Sequence, residues 1–182
     1  MAAPYTNADG LQVKFGSYWT DPKNFKNRPR SVNTLGAEKE LVVDFDLTKI
    51  PAGTTSYTAD LNNDGTRDGF TSGDVHLPAY ASVKQAYLVM TEAAAGGTSI
   101  TVGTYLKAGS AISATSLVTA TEGVLANLDT KGARVYGAGA LVATTAETAS
   151  VGANPAFVGI TTAGTFTAGK GRLVIIYTDP VG

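Results

Sequence analysis

The 182-residue chain contains no cysteine. That excludes disulfides and thiolate metal centres, and leaves packing or partners as its sources of stability. Charge is also scarce: Lys, Arg, Asp and Glu make up 16% of the chain, and the net charge is -1. A dedicated nucleic-acid binder normally carries a basic excess, so no nucleic-acid partner is expected. No apolar run reaches the length of a membrane span, and the first residues, MAAPYTNADG, have neither the basic nor the apolar region of a secretory signal. The expectation is a soluble protein made in the cytoplasm, with no membrane partner.

Catalytic signatures are missing as well. The single histidine, His76, lies in Asp74-Val75-His76-Leu77-Pro78 without a Ser or Cys nucleophile motif nearby. It is read as a structural residue at a strand edge. GxSxG, a phosphate loop and HExxH are all absent. Gly169-Lys170-Gly171 is too short to cradle a phosphate and is read as a turn. Glu92 and Glu122 are the carboxylates a glycosidase-like pair would draw on, but their settings do not single them out. The chain is read as non-enzymatic, with no catalytic residue.

What the chain does have is small residues, Ala, Gly, Thr and Ser, and short apolar runs between glycine-rich turns. The organising stretch is the last one. Leu173-Val174-Ile175-Ile176-Tyr177 has no polar/apolar alternation, is rich in β-branched residues and is closed by Asp179-Pro180, which predicts a strand covered on both faces. Phe157–Thr161 is expected to be its antiparallel neighbour across a Thr/Gly turn, with the pair in the middle of a sheet. Leu41, Val43, Phe45 and Leu47 alternate with Glu40, Val42, Asp44 and Asp46 and predict a half-buried strand. A short strand is expected over Val75–Leu77. Val83–Thr91 and Ser99–Leu106 read as a hairpin turning at Ala94-Ala95-Gly96-Gly97, and Val135–Val142 as a further strand. Leu117, Thr121, Val124, Leu125 and Leu128 recur at three or four residues and predict one short helix between Ala114 and Leu128. Seven or eight short strands with uneven loops indicate an all-β antiparallel sandwich of jelly-roll or Greek-key type.

The chain divides into two parts. Residues 1–36 carry five bases against two acids and one third of the fifteen aromatics, and are broken by Pro4, Pro22 and Pro29. They read as an extended basic, aromatic arm that orders by lying on something, either a partner or its own domain. Residues 37–182 form the sandwich, and its first stretch, 37–74, carries eight acids against three bases.

Within that acidic stretch, Asp60, Asn62, Asp64 and Asp68 fall at positions one, three, five and nine of a calcium loop, with Gly65 at six and the Thr66 carbonyl at seven. Position twelve is Thr71 instead of a bidentate Glu, and no helix is predicted on either side. A polar turn built from Asn, Asp and Gly without metal is the alternative. A calcium ion, if held, would be structural.

AYLVMTEAAAGGTSITVGTYL at 86–106 and ITTAGTFTAGKGRLVIIYTDP at 160–180 resemble the capsid decoration (cement) proteins of tailed bacteriophages, particularly T7-like phages of marine and cyanobacterial hosts. The resemblance covers about half the chain, from Val83 to Tyr177. It implies a virion protein on the outer capsid surface that staples neighbouring copies of the major capsid protein, acting as a dimer or trimer and reaching out with a terminal segment. Interfaces favour aromatic and arginine anchors, so Phe15, Tyr18, Trp19, Phe25, Arg28 and Arg30 are the expected capsid contacts. The other reading is a glycan-binding fibre or lectin-like module, with calcium in the Asp60 loop and Trp19 or Tyr80 stacking on a sugar. A small hydrolase is the third.

Overall fold

The computed structural model describes the backbone of residues 5–6, 12–15 and 29–33, and residues 38–55, 70, 74–142 and 150–178 in full. The described chain is strand and turn: β1 Tyr5–Thr6, β2 Gln12–Phe15, β3 Pro29–Asn33, β4 Glu38–Asp46, β5 His76–Leu77, β6 Ser82–Gly96, β7 Ser99–Tyr105, β8 Ala111–Val118, β9 Arg134–Tyr136, β10 Ala156–Ala163 and β11 Phe166–Thr178. They form two antiparallel sheets, ordered β1-β2-β3-β4-β11-β6-β9 and β5-β10-β7-β8.

Alternation decides which side of each strand goes inward. In β4, Leu41, Val43 and Phe45 are buried and Asp44 is exposed. The inward residues Leu88 and Met90 of β6 and Leu173 and Ile175 of β11 meet Leu77, Ile100, Val102, Val158 and Ile160 of the second sheet in one core. The molecule is an all-β sandwich. β11 lies between β4 and β6, and Val174, on its outer side, is buried too, registered between Val42 and Tyr87. The absence of alternation in this segment therefore reflects a central strand with apolar neighbours on both faces.

Five expectations are corrected, the first being that Gly169-Lys170-Gly171, read as a turn, lies inside β11. β6 and β7 are not hairpin partners, nor are β10 and β11, because each pair divides between the two sheets. Gly96 and Gly97, at φ 68° and 65°, and Gly164, at φ 79°, turn the chain over from one sheet to the other. The two corners stack so closely that a Cβ on Gly164 would come 3.0 Å from the Gly97 Cα. Short Gly-rich links serve a hairpin or such a corner equally well, so strand adjacency did not follow from loop length.

The helix between Ala114 and Leu128 is not formed: β8 fills 111–118, and only a three-residue 3-10 turn, Leu125–Asn127, follows. Leu117 and Leu128 are buried for another reason. The segment from Gly123 to Leu141 closes one flank of the sandwich, bonding in turn to β7 (Ile100 N–H to Gly123 C=O, 2.8 Å), β6 (Ala94 N–H to Leu128 C=O, 2.9 Å) and β8 (Leu141 N–H to Ser116 C=O, 2.9 Å). The expected strand Val135–Val142 stops at Tyr136 because the chain presses onto β8 there. A Cβ on Gly137 would lie 2.0 Å from the Leu117 carbonyl oxygen, and one on Gly139 2.3 Å from the Ser116 backbone.

Candidate functional site

Of the residues expected to contact a partner, Phe15 stands on β2 and Arg30 on β3. β1, β2 and β3 pair in succession onto β4, so this backbone extends the larger sheet at its β4 edge. Tyr18, Trp19, Phe25 and Arg28 lie outside the described residues, as do Asp60, Asn62, Asp64, Thr66 and Asp68 of the acidic loop. The residues bracketing that loop are described. Thr55 bridges to Thr161, their hydroxyls 2.8 Å apart. Phe70 stacks on Phe157 at 5.0 Å and tilts against Tyr105 at 5.8 Å. These rings make a second small core on the outer side of the smaller sheet, separate from the main one. Tyr105 can lie over the sheet because Gly159 has no side chain: a Cβ there would sit 2.9 Å from the Tyr105 ring.

The residues weighed for catalysis have structural partners. His76 is exposed, with Nδ1 3.1 Å from the Asp74 carbonyl oxygen and its ring 5.3 Å from Phe157. Glu92 accepts from Lys170 at 2.8 Å across the β6–β11 pair, and this bond, then the charge attraction, holds the Lys170 ammonium above its usual pKa. Glu122 accepts from the Thr119 amide at 2.8 Å and hydroxyl at 2.5 Å. Burial pushes its pKa up, but the Thr119 bonds and the backbone amides of Glu122 and Ala138 outweigh that and hold the carboxyl below its usual value. Among the described residues no three His, Asp or Glu side chains gather into a metal-binding group. No helix among them is long and apolar enough to cross a membrane.

The outer face of the larger sheet carries the most distinctive surface. Register places Val42, Val174, Tyr87 and Tyr136 in one row across β4, β11, β6 and β9. The Tyr87 and Tyr136 rings lie 5.6 Å apart at 43°, and the Arg134 guanidinium stands 5.9 Å from the Tyr87 ring centre. Around this row run three exposed ion pairs: Lys84–Glu38, Lys170–Glu92 at 2.8 Å and Arg172–Asp44 at 3.0 Å. Exposed pairs of this kind add little stability. Their consequence is that the face is charged yet nearly balanced. Sequence reasoning missed the Tyr87–Tyr136–Arg134 cluster because Tyr87 and Arg134 are 47 positions apart and only the β6–β9 register joins them. Comparison with protein-family models, curated proteins and solved structures finds no match for the chain.

Proposed function

We propose that this chain is a non-enzymatic virion structural protein that binds the outer surface of a tailed-phage capsid and stabilises the shell by bridging neighbouring capsid subunits. The observation that carries the reading is the pairing of the eight strands from β4 onward. First pairs with last (β4·β11), second with seventh (β5·β10), third with sixth (β6·β9) and fourth with fifth (β7·β8). We read this nested order as an eight-stranded jelly roll, an architecture common in viral shells. The likeness of residues 86–106 and 160–180 to capsid decoration proteins supports the same reading.

The physics of such a role is mass action. A ligand that binds only the assembled, mature shell stabilises it by the free energy of that binding. The basic, aromatic arm of residues 1–36 supplies ring and arginine anchors, and its excess of bases steers it to an acidic capsid surface in a salt-sensitive way. The protein acts as a dimer or trimer, so that one particle reaches several subunits.

Co-sedimentation with mature capsids of the encoding phage, stripped of this protein, tests the proposal. The comparison is between the full chain, a chain lacking residues 1–36, and a full-length chain with Tyr18, Trp19 and Arg28 changed to Ala. The last is needed because β3 pairs with β4, and deleting it bares a sheet edge. Saturable binding at a fixed ratio to capsid subunits, weakened in both variants, is the expected result. Binding untouched by either variant overturns the arm as the anchor. No binding by the full chain overturns the capsid reading and directs attention to a glycan screen with and without calcium.

A further inference from the structure

Arg134 differs from the other cations on the outer face of the larger sheet. Lys84, Lys170 and Arg172 each face a carboxylate there. Among the described residues no carboxylate lies within ion-pair distance of Arg134, whose guanidinium instead stands over Tyr87. Among the described residues the hydroxyls of Tyr87 and Tyr136 have no hydrogen-bond partner, and Tyr136 is 52% exposed. Three side chains of the types that anchor interfaces are thus held together by β-sheet register.

Their chemistry selects a partner. A guanidinium has five donors and no acceptor, and its fork matches a carboxylate. Docking beside tyrosine rings removes water from that pair and strengthens it. A polyanion such as nucleic acid fits poorly, because Lys84, Lys170 and Arg172 are already paired with Glu38, Glu92 and Asp44 and form no basic track for an extended negative chain. A single carboxylate set in an apolar surround needs only one guanidinium to meet it. The face of Tyr87 is taken by Arg134 and tilted Tyr136, and a neutral sugar stacked on the exposed Tyr136 ring would leave the Arg134 charge without a counter-charge.

We propose that Arg134, Tyr87 and Tyr136 are a docking site for a carboxylate-bearing protein surface, which under the capsid reading, on which this inference rests, belongs to a capsid subunit. Its position gives the bridging role a geometry. The cluster lies at the β9 edge of the larger sheet, and the arm strands β1–β3 lie at the opposite edge, beyond β4. At ~4.8 Å per strand, β9 is about 14 Å from β4 and about 29 Å from β1. One sheet thus carries two separate attachments, and a particle gripping one capsid subunit at each spans their boundary.

The test is capsid co-sedimentation of the full chain carrying Arg134→Glu or Tyr136→Ala, against Lys131→Glu as control. Lys131 is exposed three positions before Arg134, and its reversal makes the same change in net charge while leaving Arg134, Tyr87 and Tyr136 in place. Thermal melting of each variant checks that the fold is kept. Arg134→Glu and Tyr136→Ala are each expected to weaken capsid binding about tenfold or more, while Lys131→Glu changes it less than about threefold. A full chain that binds, with Arg134→Glu binding within about threefold of it, overturns the docking site and leaves the capsid reading standing. A full chain that does not bind overturns both. If sedimentation velocity of the chain alone instead shows an oligomer that Arg134→Glu dissociates, the cluster serves a second copy of the chain and the assignment to a capsid subunit fails.

Discussion

Gly103→Ala probes one of the tightest strand crossings of the sandwich. Gly103 sits in β7 opposite Gly159 of β10, where β8 curls across it. A Cβ there would lie 2.4 Å from the Ala114 carbonyl carbon and Ser113 oxygen and 2.5 Å from the Ala114 Cα. All of these are backbone atoms of a bulged strand: between Val102↔Val118 and Thr104↔Ser113, β8 takes up extra residues. The clash cannot be relieved by turning a side chain, so its cost falls at the top of the overpacking range, about 3 kcal/mol. The entropy that Ala removes from the unfolded chain offsets about 0.4–1 kcal/mol of this. A net loss of about 2 kcal/mol follows, or a melting temperature lower by about 4–8 °C for a chain of this size. Equilibrium urea unfolding would measure it, with two substitutions as controls. Gly159→Ala meets only the Thr55 methyl at 2.6 Å and the Tyr105 ring at 2.9 Å, side chains able to shift, and should cost less. Gly132→Ala meets nothing within 4 Å but sits at φ 87°, so it reports the cost of a left-handed residue alone. If Gly103→Ala unfolds at the same urea concentration as the unaltered chain, or later than Gly159→Ala, the close passage of β8 over β7 is wrong.

The strands were legible in the sequence to the extent that one side of each faces water. β4 announces itself because Leu41, Val43 and Phe45 alternate with Glu40, Asp44 and Asp46, broken only by Val42, and β11 because five apolar residues in a row suit a strand covered on both faces. The pairing was not legible. The two short links that turn a corner, at Gly96-Gly97 and at Gly164, have the same composition as a hairpin, and only the shared core tells the chain to change sheets. The false helix has an equally local cause. Leu117 and Leu128 are buried, but their spacing reflects two points where the closing segment touches different strands, not one face of a helix. The interaction surface was the least legible part. A sequence can show that an arm is rich in Trp, Tyr and Arg, but Arg134 and Tyr87 become neighbours only through the register of β6 and β9.

Two further outcomes follow from the inside-out alternation and from the carboxylate held below its usual pKa. Ile175→Ala empties a fully buried site between two sheets and should lower stability by about 3 kcal/mol. Ile176→Ala, one residue on and half-buried on the outer face, should cost about 1 kcal/mol by urea unfolding, and equal losses would contradict the assigned faces. Glu122→Gln bears on pH. The Glu122 carboxyl is held below its usual value of 4.5, so the folded state binds its proton less readily than the unfolded chain does. Its contribution is therefore complete above that value and disappears as pH falls through the lower folded pKa. Glu122→Gln, which keeps an acceptor for the Thr119 amide and hydroxyl but cannot ionise, should unfold earlier than the unaltered chain by a constant margin above about pH 5.5. That margin should shrink below about pH 4.5. A margin that stays constant down to pH ~3 would mean that the Thr119 bonds stabilise the charged and neutral carboxyl alike, and that the turn they close is held by geometry rather than by charge.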